Sequence, residues 1–402
     1  MVNTFSKLWI LNWVIPMNSR SKKPIQIAYV IPYEFDYLES LSPGVAHKIV
    51  QQVTAMNAGD LDCKLVCLPS KQNKLGKILK RLPGFSDGIK WDNFNHSSKY
   101  DVIYLRKPDF FSKEMLFFLE KIRSEDPEKL IILEIPSYPY DSEISSLLQI
   151  PKLIKDKIHR GNLNQYIDVI VSPAVKQKKI FGIDAISIVN GIEINSVSVR
   201  KPSYDGKTIN IICIAAFASW HGIDRFINGL KEYYLSDFTI EVNLHLLGEG
   251  PELPRLKKLV NSFSLSNHVF FYGRCDREQM DKVFDKCSLA IECLGIHRKD
   301  INSISSSLKS REYLAKGIPF VYSASIDVFL DDLVDFCMKV SEDESPIDIK
   351  QIIEFHEYLY SQYPERELIN KIRQYAVEHV SMNAAMKPVI DYMKEALNES
   401  DR

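Results

Sequence analysis

Short apolar, β-branched runs alternate along the chain with longer segments whose apolar residues recur at helical spacing. This alternation is typical of parallel α/β units, in which a buried strand leads into a crossover helix. In the first half it predicts strands at Ile25–Ile31, Leu61–Leu68, Asp101–Leu105, Leu130–Ile135, Ile167–Val171 and Ile186–Val189. The helices predicted among them are Val45–Asn57, Lys74–Leu82, Lys113–Ser124, Ser142–Arg160 and Ala174–Phe181.

A polar stretch without periodicity, Val197–Lys207, separates this series from a second one. The second series predicts strands at Ile209–Ala215, Ile240–Leu247, Val269–Tyr272, Leu289–Leu294, Pro319–Tyr322 and Phe336–Val340. Its helices are expected at Gly222–Tyr234, Leu253–Phe263, Arg277–Lys286, Ser306–Lys316 and Asp327–Val334, and three further helical stretches close the chain.

The simplest architecture for these two series is a pair of doubly wound, Rossmann-like α/β domains joined near residue 200. In open sheets of this kind, ligands bind outside the carboxyl ends of the strands. Two such domains facing each other define a cleft between them, and we expect the functional site there.

Composition narrows the class of protein. The 402 residues include 51 Lys+Arg and 52 Asp+Glu, for a net charge of −1, which argues against a dedicated nucleic-acid binder. Hydrophobic residues make up 45% and charged residues 26%, as in ordinary globular proteins. The seven cysteines are scattered without a C-x-x-C pair, so they indicate no disulfide framework and no zinc site. A reducing cytoplasm is therefore expected.

The amino terminus carries an apolar run, Leu8–Met17, which is too short for a transmembrane helix. It lacks the small-residue cleavage site of a signal peptide and is followed at once by a polar stretch. We interpret residues 1–24 as a loose extension, or as sequence upstream of a translation start at Met17.

The first strand is not followed by the G-x-G-x-x-G fingerprint of dinucleotide enzymes. Instead, a single glycine, Gly44, stands at the entrance of the next helix. A glycine there allows close approach of the backbone to a ligand, and the free N–H groups can receive a phosphate. The alternative is a simple turn before a helix.

The segment Gly295–Tyr322 is richest in candidate chemistry. Ser306 and Ser307 open a predicted helix, and the N–H groups at such an end favour a phosphate or diphosphate. Just before this helix the chain carries three potential cations, His297, Arg298 and Lys299.

Lys309 and Glu312 are three residues apart and share one face of the same helix. Lys309 could then reach a phosphate, while Glu312 could accept two sugar hydroxyls. The alternative is an ordinary surface ion pair.

Several motifs occur in an order that resembles GT-B glycosyltransferases of family 4 type. The resemblance covers most of residues 25–397 and is strongest from Asn190 to Tyr322. The motifs are N-G-I (Asn190–Ile192), W-H-G-I-D (Trp220–Asp224), G-E-G-P (Gly248–Pro251), V-x-F-Y-G (Val269–Gly273) and S-L-K-S-R-E-Y-L-A-K-G-I-P (Ser307–Pro319). In the first half, I-L-E-I-P-S-Y-P-Y-D-S-E (Ile132–Glu143) resembles a subset of bacterial surface-polysaccharide glycosyltransferases.

The resemblance implies a nucleotide-sugar donor on the C-terminal domain and an acceptor on the N-terminal one. It implies that Glu312, as the second glutamate of an E-x7-E motif, binds the donor ribose. The first glutamate of that motif would fall at Ile304 and is missing. The R-x4-K pair for the diphosphate would fall at Ala216 and at His221, next to Gly222, so both of its cations are missing too.

Two interpretations of these departures remain open. Arg298, Lys299 and Lys309 could replace the missing positive charge at the leaving diphosphate, with Ser306 and Ser307 nearby. Alternatively, the protein has lost activity and binds nucleotide sugars as a silent scaffold. A sugar-nucleotide epimerase on the same fold is a third reading, but no convincing pair of carboxylates supports it.

Family 4 enzymes retain anomeric configuration without a required metal, so retention and metal independence are expected here. Glu134 ends a predicted strand about where many relatives place a histidine near the sugar. It could bind the donor sugar or the acceptor, or only cap the following loop.

The segment Lys71–Phe85 is basic and contains no acid. Its apolar residues have helical spacing, which is typical of a helix lying on an anionic membrane, or of one packed on its own sheet with solvated lysines. The cations assigned to a membrane patch are Lys74, Lys77, Lys80 and Arg81.

The leading hypothesis is a cytoplasmic, retaining glycosyltransferase, peripheral on the inner face of the membrane. It would add a sugar to a growing surface polysaccharide or a lipid-linked oligosaccharide. The expected domains are 25–198 for the acceptor and 199–375 for the donor, with a C-terminal helix, 376–402, that returns to the N-terminal domain as in GT-B relatives.

Overall fold

The computed structural model of the protein describes residues 23–57, 60–70, 74–95, 97–141, 147–298, 304–330 and 334–400. In this part of the chain, the strands form two separate sheets, one before residue 190 and one after residue 207. Lys299 and the 1–22 segment, including its apolar run, lie outside the described residues.

The first sheet has seven strands in the order β2-β1-β3-β4-β5-β7-β6, all parallel except the edge strand β6. Its strands are β1 (Ile25–Ile31), β2 (Leu61–Cys67), β3 (Val102–Arg106), β4 (Leu130–Glu134), β5 (Val169–Pro173), β6 (Lys179–Ile180) and β7 (Ile183–Ile188). The helices are α1 (Phe35–Leu41), α2 (Pro43–Met56), α3 (Lys74–Leu79), α4 (Lys113–Glu125) and α5 (Ile150–Arg160).

The second sheet has six strands, all parallel, in the order β10-β9-β8-β11-β12-β13. Its strands are β8 (Thr208–Ile214), β9 (Glu241–Leu247), β10 (Val269–Gly273), β11 (Leu289–Ile291), β12 (Phe320–Tyr322) and β13 (Cys337–Lys339). The helices are α6 (Ile223–Tyr234), α7 (Leu253–Ser262), α8 (Arg277–Phe284), α9 (Leu308–Lys316), α10 (Ile349–Gln362) and α11 (Glu365–His379). This is the Rossmann strand order, which reverses between β8 and β11.

The last helix, α12 (Met382–Ser400), belongs to the N-terminal domain. Met386, Val389 and Met393 are buried in the same apolar cluster as residues of β1, β3 and β4. The chain therefore crosses between the domains twice, and the two crossings are hydrogen-bonded. The amide of Ile192 donates to the carbonyl of Val380 at 2.8 Å, and the amide of Met382 donates to the carbonyl of Ile192 at 3.0 Å.

The predicted architecture of two Rossmann-like domains with a returning C-terminal helix is confirmed. The predicted helix Ala174–Phe181 is wrong, because β6 and β7 form a tight antiparallel hairpin there. Phe181 and Gly182 both have positive φ, 52° and 82°, as a two-residue hairpin turn requires. The predicted helix Asp327–Val334 is also wrong within the described residues, where only the 3-10 turn Asp327–Phe329 occurs.

No helix in the described part of the chain is long and apolar enough to cross a membrane.

Candidate functional site

A cavity of about 1010 Å³ lies between the two domains. On one side are residues 136–139, which follow β4, and Pro173, Ala174, Lys176 and Gln177 at and after the end of β5, all at the carboxyl edge of the first sheet. On the other side are residues that follow β8 and β11 and the entrance of α9. The cavity thus sits at the switch point of the second sheet, where ligands of doubly wound folds bind.

The charged residues that line the cavity are Lys176, Glu292 and Lys309, and the last two are in contact. Glu292 directly follows β11 and is fully buried, and its carboxylate accepts hydrogen bonds from the hydroxyl of Ser307 and the amide of Cys293. The ammonium of Lys309 donates to the carbonyl of Glu292 at 3.3 Å. Burial alone would lower the pKa of Lys309, but the Glu292 carboxylate raises it and the net shift is upward. Lys309 therefore carries its charge at neutral pH.

The hydroxyl of Ser307 also caps α9 by accepting from the amide of Ser310 at 3.5 Å. Because Ser307 and Lys309 line the cavity, the N-terminus of α9, with the positive end of the helix dipole, lies at the cavity. The neighbouring Ser306 lines the cavity as well and donates to Asp327 at 2.7 Å. A diphosphate would meet a helix N-terminus and a lysine at this position.

His221 lines the cavity in its neutral form. Burial lowers its pKa to about 4, and the positive charge of Lys309 contributes in the same direction. Its Nδ1 accepts the amide hydrogen of Ala218 at 3.0 Å, so the ring proton is on Nε2. His221 therefore does not replace the missing cation, and what this side chain offers a ligand is an N–H donor.

Asn190, at the crossing between the domains, connects both halves of the site. Its side-chain oxygen accepts from the ammonium of Lys48 on α2 at 2.8 Å, and its amide nitrogen donates to the carbonyl of Ser306 at 3.3 Å. Its backbone carbonyl accepts from Arg311 of α9 at 3.0 Å. Asn190 therefore links Lys48 of the N-terminal domain to the entrance of α9 by hydrogen bonds.

Gly222 holds the loop between β8 and α6 against the strand end at Leu294. It has φ +66°, and a Cβ there would lie 2.5 Å from the carbonyl carbon of Leu294 and 2.6 Å from the amide nitrogen of Gly295. The amide of Leu294 donates to the carbonyl of His221 at 3.0 Å across the same contact. The loop that carries His221 is therefore fixed by backbone contact that only glycine permits.

Gly222→Ala is expected to lower the free energy of unfolding by about 2–4 kcal/mol, because it adds backbone strain and a steric clash with immobile backbone. Gly161→Ala is the matched control, since Gly161 has φ −66° and no heavy atom within 4 Å of the added Cβ. That control is expected to change stability by less than about 1 kcal/mol. Urea denaturation followed by circular dichroism measures both, and equal effects would contradict the explanation.

Arg298 has protein partners in place of a ligand. Its guanidinium contacts Asp224 and Glu344, each at 2.8 Å, and it lowers the pKa of Glu344 to about 2. His297 also contacts Glu344, at 2.7 Å. The structure therefore gives Arg298 no unbalanced charge to present to a diphosphate, whereas Lys309 lies at the cavity.

Glu312 does not pair with Lys309. Its carboxylate is 3.0 Å from the guanidinium of Arg277, and it is not among the residues that line the cavity. Its contact with a donor ribose stays a prediction.

Glu134 is completely buried beneath the site. Its carboxylate pairs with Arg106 at 2.8 Å and accepts from the hydroxyl of Tyr29 at 2.8 Å and the amide of Gln52 at 3.3 Å. Burial would raise its pKa, but the charge of Arg106 and these partners bring the pKa below its usual value. Its exposed fraction is 0% and it is not among the residues that line the cavity, so a contact with a sugar stays a prediction.

Two other predicted features lie away from the cavity. Gly44 is in the first turn of α2, exposed and with open space around it. The basic segment forms the short helix α3, which ends at Leu79, three residues earlier than predicted. Lys74 and Lys77 belong to this helix, although their side chains are outside the described part, while Lys80 and Arg81 follow its end.

A second pocket of about 400 Å³ opens beside the cavity on the N-terminal domain. It shares Pro136 and Ser137 with the cavity and is bounded on its far side by α5. Lys107 lies 4.2 Å from the ring centre of Tyr140 at its wall. Its lining residues are Lys107, Pro108, Asp109, Pro136, Ser137, Tyr140, Gln149, Lys152, Leu153 and Asp156.

Sequence reasoning missed Glu292 and the bridging role of Asn190. Glu292 was detectable as the only charge in the apolar run Leu289–Leu294, where an acid is costly unless it has partners. Asn190 carried no such signal, because its three partners come from distant parts of the chain.

Part of the second domain matches a known protein family by sequence. Residues 197–296, which run from the domain crossing to the end of the β11 loop, match the family model described as "Glycosyl transferases group 1". No curated protein matched the chain in a sequence search.

Solved structures share the fold over nearly the whole chain. A glycosyltransferase from Rickettsia africae ESF-5 aligns with a TM-score of 0.56 at 11% identity, covering 94% of this chain and 99% of that one. Anabaena Alr3699/HepE in complex with UDP aligns with a TM-score of 0.54 at 12% identity, covering 92% and 100%. Sucrose-phosphate synthase from Thermosynechococcus elongatus aligns with a TM-score of 0.54 at 13% identity, covering 93% and 98%.

The chain has the GT-B fold of two facing Rossmann-like domains. Identities this low show the fold alone. The match over residues 197–296 adds support for a glycosyltransferase of the GT-B class.

Proposed function

We propose that this protein is a retaining glycosyltransferase that moves a sugar from a nucleotide-sugar donor to a glycan acceptor in surface-polysaccharide synthesis. The observation that carries the proposal is the interdomain cavity, in which Lys309 and the entrance of α9 form one positive site at a Rossmann switch point. It overlaps the glycosyltransferase match at His221 and Glu292.

In the proposed donor complex, the diphosphate lies at the N-terminus of α9 between Lys309 and His221. As the bond from the sugar carbon to the diphosphate oxygen breaks, negative charge grows on that oxygen. Lys309 and the helix end stabilise this charge, and the neutral His221 donates a hydrogen bond from Nε2. No metal is required in this scheme; among the described residues no group of three potential metal-ligating side chains occurs.

This arrangement would replace the R-x4-K pair that the chain lacks. Lys309 is the second residue of α9, so its charge comes from this helix and not from the Ala216–His221 loop. Asp224 and Glu344 neutralise Arg298, which leaves Lys309 as the better candidate for the diphosphate. The Anabaena protein of the same fold was crystallised with UDP and with UDP plus glucose, which makes uridine diphosphate sugars the first donors to try.

The acceptor is proposed to enter through the neighbouring pocket on the N-terminal domain. Asp109 and Tyr140 offer it carboxylate and aromatic surface, and Lys107 and Lys152 balance the charge. A neutral, hydroxyl-rich saccharide suits such a mixed wall better than a nucleotide would. In the retaining reaction the new bond joins the acceptor oxygen to the sugar carbon on the face that the diphosphate leaves, and the acceptor proton passes to the departing phosphate.

An epimerase would need acid and base groups on both sides of the sugar. Glu292 is the only carboxylate among the described residues that line the cavity, and it is held by Ser307 and Cys293. This favours transfer over epimerisation.

A thermal-shift screen of UDP-, GDP- and CMP-sugars tests the proposal. One nucleotide series is expected to stabilise the protein, by about 2.7 kcal/mol at a ligand concentration 100 times Kd. Incubation of that donor with lipid-linked or soluble oligosaccharides should then give a product whose anomeric configuration, read by NMR, equals that of the donor.

Each failure has a separate meaning. Binding without turnover on any acceptor would favour the silent scaffold, and an inverted product would overturn retention but leave transfer intact. Absence of any nucleotide-sugar binding would contradict the proposal as a whole.

A further inference from the structure

Helix α5 carries its apolar residues on the wrong side for a helix that packs on a sheet. Ile150, Ile154 and Ile158 are four residues apart and therefore share one face. Their exposed fractions are 41%, 47% and 54%. Leu148, in the turn before the helix, is 79% exposed.

The opposite face of α5 is charged and buried. Lys155 is 1% exposed and its ammonium donates to the carbonyls of Lys80 at 2.9 Å and Phe85 at 2.5 Å. Asp156 is 2% exposed and accepts from the amide of Phe111 at 3.0 Å and the hydroxyl of Tyr140 at 2.7 Å. Because every one of these buried groups is satisfied, the helix is firmly oriented with its isoleucines outward.

The charges beside the isoleucine face have a basic excess. Asp156, the only acid of α5, is buried, and the partly exposed acids Asp109 and Asp141 are shared among three basic residues, Lys152, Lys157 and Arg160. Lys157 lies 3.7 Å from Asp141, an exposed pair of the kind that contributes little and can exchange partners. The basic, acid-free segment that ends at Phe85 rests on the same helix through Lys155, and its Arg81 is exposed.

We propose that this α5 face, formed by Ile150, Ile154, Ile158 and Lys157, docks on the surface of an anionic phospholipid bilayer. An outward row of large apolar residues beside basic ones matches the two attractions that hold a peripheral protein on such a bilayer. A second copy of this chain is a poorer occupant, since it would bring the same positive charge to the contact.

The position of the face has a consequence for the acceptor. Gln149, Lys152 and Leu153 of the same helix and its preceding turn line the acceptor pocket. A protein docked through α5 would therefore hold that pocket next to the membrane surface. This consequence, unlike the docking itself, rests on the proposed function and fits an acceptor carried on a lipid.

Co-sedimentation with vesicles tests the docking without any substrate. The full chain is expected to bind vesicles of equal parts phosphatidylglycerol and phosphatidylcholine, and to bind pure phosphatidylcholine less. Ile154→Ser/Ile158→Ser should lower the partition coefficient at least about tenfold, because two apolar contacts are lost. Lys157→Glu should lower it about fivefold or more on anionic vesicles only.

The matched control is Leu235→Ser/Tyr358→Ser, which removes two apolar side chains of the other domain that are 77% and 56% exposed. It should bind as the unaltered protein does. A second readout is Ile154→Trp, whose emission should shift to the blue on anionic vesicles and be quenched by brominated lipid.

Equal binding of the two double variants, or no spectral shift of the tryptophan, would overturn the proposal. So would a protein that forms dimers abolished by Ile154→Ser/Ile158→Ser while binding no vesicles. Loss of vesicle binding with unchanged transfer to a soluble acceptor would support the docking face and leave the proposed function standing.

Discussion

Lys309→Ala is expected to lower kcat/KM for sugar transfer by about 10²–10³-fold, the usual cost of removing one preorganised group that stabilises transition-state charge. Lys309 lines the interdomain cavity, and Glu292 keeps it protonated. Steady-state rates with the donor found by the thermal-shift screen measure the loss. The matched control is Lys258→Ala, which removes an exposed lysine from α7 and should leave kcat/KM unchanged.

Calorimetric titration separates a lost phosphate contact from general damage to the site. The affinity of Lys309→Ala for a nucleoside diphosphate should fall at least about tenfold, in line with a charge-assisted contact. Affinity for the uncharged nucleoside should not change. Wild-type kcat/KM in this variant, or equal losses for nucleoside and nucleoside diphosphate, would remove Lys309 from the diphosphate site.

Arg311→Ala is expected to destabilise the protein by about 3–5 kcal/mol, because it leaves the buried Asp327 without its counter-ion. The Arg311 side chain is fully buried and Asp327 is 3% exposed. Arg311 also donates to the carbonyl of Asn190 at 3.0 Å, so it ties α9 to the domain crossing. Urea denaturation followed by circular dichroism measures the loss.

Two further variants identify the cause of that loss. Arg366→Ala removes an exposed arginine from α11 and should change stability by less than about 0.5 kcal/mol. Arg311→Met combined with Asp327→Asn removes both charges and should recover part of the loss, because no unpaired charge is then buried. A double variant as unstable as Arg311→Ala would show that the hydrogen bonds of Arg311, not the ion pair, carry the stabilisation.

Arg311, which stabilises the fold, and Lys309, which lines the cavity, belong to the same structural unit. Arg311 and Lys309 are on one helix, whose entrance is set by Ser307 and Glu292. Asn190 joins that entrance to Lys48 of the other domain. Closing of the domains around a donor would thus act directly on the group that meets the diphosphate.

Much of the fold was predictable from the sequence because it depends on local pattern. The apolar runs at Ile25–Ile31 and Thr208–Ile214 are strands in which several consecutive residues are buried. The capping serine Ser307 marked the start of α9 to within two residues. The hairpin at Phe181–Gly182 was not predicted, because the lysine-rich sequence before it is also typical of an exposed helix. The antiparallel pairing of β6 with β7 decides the structure there.

The site was less predictable because its charges act through distant partners. From the sequence, Arg298 is expected to be an available cation. In the structure it is neutralised by Asp224 and Glu344, which are 74 and 46 residues away along the chain. Glu134 is the last residue of a strand, as predicted, but its carboxylate is bound by Arg106 and Tyr29.

The sequence by itself determined the two doubly wound domains and the start of α9 near Ser307, since periodicity and capping are properties of neighbouring residues. The returning helix was expected from the order of the motifs, through the resemblance to GT-B enzymes. Only the tertiary structure decided which charges remain available and which way α5 faces. Its Ile150–Arg160 pattern is amphipathic in either orientation, and the buried partners of Lys155 and Asp156 select the one with the isoleucines outside. A charge or an apolar side chain acquires its role from what packs against it, and those contacts come from parts of the chain that local pattern does not connect.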